Sequence, residues 1–200
     1  MKRTLVIIYA RAPLPGRTKT RLVPLLGASG AARLQARLVR RALDTARAAR
    51  AGRVELHGAG RVRNLSVPQC AQRGRDLGER MHYSLRAGLR RFRRVVLIGS
   101  DCPALRVRDL RRVARWLAGG AGAAFAPAED GGYALIAVRR NPAGLFDGVH
   151  WGSSTVMDAT RANLKRLGWD WRELAPVWDV DRPEDYRRLV ASGLMMRRRG

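Results

Sequence analysis

Lysine is nearly missing from this chain of 200 residues: Lys2, Lys19 and Lys165 are its three examples among 40 basic residues. Acids are also scarce, at 16, so the formal charge is +24. Such an excess is the footprint of a nucleic-acid binder when it gathers on one face. Here the arginines are spread over nearly every expected helix, which reads as biased usage on solvated surfaces and argues against a nucleic-acid partner. Attraction for phosphate-bearing ligands remains as the functional meaning of the charge. Cysteine is rare too, with Cys70 and Cys102 alone and no CxxC pair. A disulfide framework or zinc cluster is therefore not expected. His57, His82 and His150 are far apart without ligand spacing and read as packing or surface residues.

No apolar run approaches the ~20 residues of a membrane span. Residues 1–16 imitate a signal peptide, but the apolar stretch 5–10 is short and no small-residue cleavage site follows. The expectation is a first strand in a cytoplasmic protein. What the chain does have is hydrophobic content of 46%, enough for one full core.

Residues 4–10 and 95–99 are continuous apolar runs, as buried parallel strands require. A helix is expected over 29–50, with Leu34, Leu38, Ala42 and Ala46 on one face. A short strand is expected over 53–57, and 58–75 is irregular. Asp76 and Glu79 have capping-box spacing, and the helix they open is expected to turn Met81, Leu85, Leu89 and Phe92 inward. Further helices are expected over 107–117, 153–167 and 183–190, and an extended segment over 169–175. Runs 123–127 and 133–138 are joined by a connection too short for a crossover helix, so one of them should run antiparallel. Strand–helix alternation makes the fold class α/β: a mixed, mainly parallel sheet with helices on both faces. The expected domain covers residues 1–193. Residues 194–200, with Arg197, Arg198 and Arg199, are expected to form a disordered basic tail.

Ligands of open α/β sheets bind beyond the carboxyl ends of the strands, so polar clusters there are the candidate site. The loop Arg11-Ala-Pro-Leu-Pro-Gly-Arg-Thr-Lys-Thr-Arg21 sets Arg11, Arg17, Lys19 and Arg21 around Pro15 and Gly16. Cations and free N–H groups near a helix start suit phosphates. It is not a P-loop, because GxxxxGK[ST] is absent. Ser100 and Asp101 follow the strand 95–99, where a strand end fixes a carboxylate for a hard cation. Glu129, Asp130 and Gly131 occupy the expected hairpin turn. Asp181 offers a second carboxylate, and Asp181 with Glu184 is also a capping-box pattern for the last helix. Trp151 precedes a helix and is a candidate wall for a sugar.

Five of these segments together resemble the DUF2064 family of small bacterial glycosyltransferase-like proteins, known as radical-SAM/selenodomain-associated or arsenosugar-biosynthesis glycosyltransferases. The segments are 10–16 with Lys19-Thr-Arg-Leu22, then 76–81, Ile98-Gly-Ser-Asp-Cys-Pro103, 127–133, and Asp179-Val-Asp-Arg-Pro-Glu-Asp185. The resemblance implies a single-domain, GT-A-like nucleotide-diphospho-sugar transferase fold, a three-layer sandwich also used by nucleotidyltransferases. It implies Asp101 and Asp181 as ligands of Mg²⁺ or Mn²⁺, with Lys19 and Arg21 as phosphate contacts. Two departures stand out. The first loop lacks GGxGxR, and Ser100-Asp101 replaces the DxD of many glycosyltransferases. The expected activity is metal-dependent glycosyl transfer from a nucleotide-diphosphate donor to a small acceptor, with Glu129 or Asp130 as base. Nucleotidyl transfer, with release of pyrophosphate, is the alternative. A basic nucleic-acid module without catalysis explains the charge but not the acids at the strand ends. No membrane partner is expected, and the oligomeric state stays open.

Overall fold

The computed structural model describes residues 2–195. Seven strands form one sheet in the order β3-β2-β1-β4-β6-β5-β7. They are β1 (Lys2–Arg11), β2 (Arg53–Ala59), β3 (Gln69–Ala71), β4 (Phe92–Gly99), β5 (Ala123–Pro127), β6 (Tyr133–Val138) and β7 (Trp171–Glu173). Strand β6 runs antiparallel to both of its neighbours, β4 and β5. All other pairings are parallel. The expected mixed sheet is therefore present, and its cause is the short β5–β6 reversal.

Helices α1 (Val23–Ala49), α2 (Leu77–Leu89), α3 (Val107–Ala118), α4 (Val156–Arg166) and α5 (Pro183–Ala191) complete the fold. Alternate strand residues face opposite sides, so the continuous apolar runs feed two cores. Val6, Ile8, Val96 and Ile98 pack with Leu43, Leu110 and Val113 of α1 and α3. Leu5, Ile7, Val95 and Leu97 pack with Met81, Leu85, Met157 and Leu164 of α2 and α4. The result is a single α/β domain in three layers.

Differences from the sequence reading have local causes. Helix α1 is interrupted at Gly27, whose φ of 68° no helix accommodates, and the expected helix 29–50 lies beyond that break. Phe92 is not on α2: the helix ends at Leu89, and Phe92 opens β4 while still filling the same core. The irregular stretch 58–75 contains β3, held by parallel pairing to β2. Asp76 caps α2 by accepting from the Glu79 amide at 2.8 Å. Glu79 does not close the box; it accepts from the Arg75 amide instead.

Leu194 and Met195 pack beside Leu34 and Leu38 of α1. Their carbonyls accept from Arg41 and Arg37. The arginines of the expected tail lie outside the described residues. Among the described residues, no helix is long and apolar enough to cross a membrane.

Gly88 marks where α2 lies closest to the sheet. A Cβ there would sit 2.7 Å from Val95 Cγ2 and 3.1 Å from Leu5 Cδ2. Helix propensity favours Gly88→Ala by roughly 1 kcal/mol, whereas overpacking costs about 1–3 kcal/mol. Gly88→Ala should therefore lower stability by up to about 2 kcal/mol in urea unfolding. A more stable variant would mean that α2 does not pack this closely.

Candidate active site at the carboxyl edge

The loop after β1 folds back on itself through Arg17 N–H donating to the Leu14 carbonyl at 3.1 Å. Gly16 supplies the turn with φ of 71°. Thr18 and Lys19 then enter the protein. Lys19 adopts a left-handed backbone conformation, φ 49° and ψ 42°, which non-glycine residues seldom hold. Its side chain is only 4% exposed, and its Nζ lies 2.8 Å from Asp101 Oδ2. Of the four cations expected around phosphates, Lys19 thus points inward. Arg21 pairs with Asp181. Arg11 and Arg17 are exposed, as are Pro15 and Gly16.

Asp101 is placed by the end of β4. Ser100 N–H donates to the Tyr9 carbonyl at 3.0 Å, which extends the β1–β4 register by one residue. Ser100 Oγ donates to Asp101 Oδ1 at 3.1 Å and receives Gln35 Nε2 from α1 at 3.3 Å. The Asp101 carbonyl accepts from Val180 N–H at 2.9 Å, which draws the segment before α5 to the same edge. Cys102 reinforces this contact: its Sγ donates to the Trp178 carbonyl at 3.0 Å. Burial pushes that thiol up to about 12, so it remains a donor and not a nucleophile.

Pairing of Val180 with Asp101 decides between the two acids that flank it. Asp179 joins Asp101 and Asp130 around a cavity of about 220 Å³, together with Gly132, Tyr133 and Trp151. Asp181 is not part of that lining and is engaged by Arg21. Nor does Asp181 cap α5. The cap residue is Arg182, and Asp185 accepts from the amides of Arg182 and Asp181 at 2.7 and 3.0 Å. Pro183 at the first helical position fixes that start.

At the β5–β6 hairpin, Asp130 Oδ1 accepts from the Gly132 amide at 3.0 Å, forming the turn. Gly131 has φ of 88°, and a Cβ there would meet the Ser154 carbonyl at 1.9 Å. The loop before α4 therefore closes over the turn, and the Gly131 carbonyl accepts from Met157 N–H at 2.8 Å. Glu129 faces elsewhere. It is held by Arg188 of α5 through two bonds of 2.7 and 3.0 Å, which keep its carboxyl below the usual range. Such a clamped carboxylate is a poor base, and of the two turn acids only Asp130 lines the cavity.

Asp179 is the electrostatically strained member of the group, and sequence spacing did not single it out. Burial pushes its carboxyl up to about 6, and the neighbouring charges of Asp130 and Asp101 push the same way while Lys19 opposes them. Three carboxylates thus share a single strand-end cavity, and one of them, Asp101, is paired with a buried ammonium. Oxygen donors of this kind suit a hard divalent cation.

Residues 28–153 match the DUF2064 family model, described as an uncharacterized protein conserved in bacteria. A candidate nucleotide-diphospho-sugar transferase from Desulfovibrio desulfuricans superposes with a TM-score of 0.86 at 29% identity, covering 96% of this chain and 88% of that one. A CMP:2-keto-3-deoxy-manno-octonic acid synthetase crystallised with CTP superposes at 0.59 and 15% identity, over 95% of this chain and 99% of that one. A Mycobacterium tuberculosis protein crystallised with manganese superposes at 0.51 and 21% identity, over 96% and 100%. No curated protein matches the sequence significantly.

Two substitutions at this edge should act in opposite directions. Asp179 holds its proton more tightly when folded, so its cost is absent below its ordinary value of 3.8 and complete above about 6. Asp179→Asn should add about 1 kcal/mol at pH 7.5, after allowance for solvent screening, and the gain should vanish as the pH falls to 4. Asp101→Asn removes the partner of a buried ammonium and should cost on the order of 1–3 kcal/mol. Urea unfolding across this pH range checks both. Equal effects of the same sign would contradict the electrostatic assignment.

Proposed function

The chain belongs to the DUF2064 family, and we propose that it is a metal-dependent glycosyltransferase using a nucleotide-diphosphate sugar. The observation that carries this reading is the meeting of Asp101, Asp130 and Asp179 in one cavity beside the buried Lys19. The D. desulfuricans likeness, 29% identical over nearly the whole of both chains, supports a transferase of this class.

The donor set fits Mg²⁺ or Mn²⁺, with Asp101 and Asp179 as its carboxylates and Asp181 kept by Arg21. When bound, such an ion neutralises charge on the diphosphate leaving group. Ser100 orients Asp101 through its hydroxyl. Lys19 presents its ammonium at the same point, where a phosphate oxygen competes with Asp101 for it. Arg11 and Arg17 are exposed on the same loop, and their guanidiniums meet the distal phosphates. Asp130 takes the proton of the acceptor hydroxyl, from a turn that the close packing of Gly131 on Ser154 holds in place. Trp151 forms an apolar wall of the cavity against which a sugar ring packs.

A second reading is nucleotidyl transfer. Arg11, Arg17, Lys19 and Arg21 on one loop suit a triphosphate as well as a diphosphate. The same edge would then hold a nucleoside triphosphate while a substrate phosphate attacks its α-phosphorus.

A thermal-shift screen of nucleotides and nucleotide sugars with Mg²⁺ and Mn²⁺ tests both readings. A ligand at about 100 times its dissociation constant adds ~2.7 kcal/mol of stability. That gain should appear with metal and disappear without it. Asp179→Asn should weaken metal-dependent binding at least tenfold although the variant folds more stably, while Asp181→Asn should stay within twofold. Released UDP or GDP identifies glycosyl transfer, and released pyrophosphate identifies nucleotidyl transfer. Unchanged binding in Asp179→Asn would remove Asp179 from the site.

A further inference from the structure

A second cluster lies away from that cavity, on the sheet face covered by α2. Glu55 and His57 are two residues apart on β2, so they share one face. Cys70 on the edge strand β3 pairs directly with His57. One carboxylate oxygen, one ring nitrogen and the sulfur lie within 4.8 Å of one another.

His57 is the informative member. It is 7% exposed, and its Nδ1 lies 2.9 Å from Ser84 Oγ, which in turn meets Tyr9 OH at 3.1 Å. Its Nε2 is buried and has no hydrogen-bond partner among the described residues. That atom faces Glu55 Oε2 at 3.9 Å, too far for a hydrogen bond. Burial holds the ring below its ordinary pKa and so favours the neutral form. In the tautomer whose Nδ1–H donates to Ser84, Nε2 turns a lone pair toward a carboxylate oxygen. Two acceptors facing each other in a buried place are reconciled by a cation between them.

Glu55 has capacity left for such an ion. Its Oε1 is engaged by Arg91 and by Arg53, the latter at 3.2 Å. Its Oε2 accepts from Arg91 at 3.3 Å, a long hydrogen bond that leaves lone-pair capacity on the His57 side. We propose that Glu55 Oε2, His57 Nε2 and Cys70 Sγ form a binding site for Zn²⁺ or a similar borderline transition metal, with the fourth position open to solvent.

An oxygen, nitrogen and sulfur donor set selects zinc over magnesium. Zinc–ligand bonds of about 2.0–2.3 Å require the three atoms to close by roughly 1 Å. Cys70 is exposed on a three-residue edge strand, where its side chain can swing inward. The Ser84 hydroxyl supplies the outer contact that metal-bound histidines need to fix their tautomer. Arg53 and Arg91 moderate the affinity by repelling the ion. The bound ion ties β3 to β2 and closes the edge of the sheet.

Cobalt(II) titration of the full chain tests the site, since only a thiolate ligand gives an intense sulfur-to-cobalt charge-transfer band. One equivalent should develop the band, zinc should displace it, and excess magnesium should not. Cys70→Ser should abolish the band and weaken zinc binding at least tenfold. Cys102→Ser and Asp179→Asn should retain both, which separates this site from the proposed transferase centre. His57→Gln, checked for folding by circular dichroism, should weaken binding to a similar degree. No band in the wild-type chain, or a band that survives Cys70→Ser, would overturn the proposal.

Discussion

The ion pair between Lys19 and Asp101 is the contact on which the carboxyl edge depends. A buried ammonium without a partner is too costly to keep, and a left-handed lysine backbone adds roughly 1–3 kcal/mol of strain. Both are tolerated because the surrounding chain leaves Lys19 no alternative. Thr18 and Leu22 are buried on either side, and the Lys19 carbonyl accepts from Leu22 N–H at 2.8 Å. One bond therefore fixes the β1 loop to the end of β4 and sets the charge that any phosphate would meet there.

Reversal of β6 gives that edge its remaining acids. In a purely parallel sheet the chain after β5 would leave for a crossover helix. Here it turns back at Asp130, and β6 begins at the same edge where β4 and β5 end. The bridge between Ala128 and Val177 then lays the last segment along the hairpin. Val180 docks on Asp101, and Asp179 arrives beside Asp130. The carboxylates come from three distant parts of the chain, and backbone pairing alone brings them together.

Much of this could be read from residue patterns. The apolar runs that became β1 and β4 have no other stable place than a buried sheet, and the brevity of the 128–132 connection forces a reversal. Asp101 was legible because a carboxylate directly after such a run must lie at the strand end. The segment Asp179-Val-Asp-Arg-Pro-Glu-Asp185 was not legible in the same way. Its spacing marks Asp181 with Glu184 as the cap, whereas Pro183 together with the burial of Val180 selects Arg182 and Asp185. That choice releases Asp181 to Arg21 and turns Asp179 toward the cavity. Likewise His57 and Cys70 show no ligand spacing, because β3 emerges from an irregular stretch and only strand pairing sets them side by side. Local pattern fixes elements and strand ends, whereas partnerships made across the sheet need the register.

The central claim is that Asp101 and Asp179, and not Asp181, hold the ion that a nucleotide needs. A crystal structure of the chain with Mn²⁺ and a nucleotide, read by the anomalous signal of manganese, tests it directly. The account predicts a manganese peak about 2.1–2.2 Å from carboxylate oxygens of both Asp101 and Asp179, with Lys19 turned to the phosphates. A peak coordinated by Asp181, or a bound nucleotide with no ion at Asp179, would contradict it.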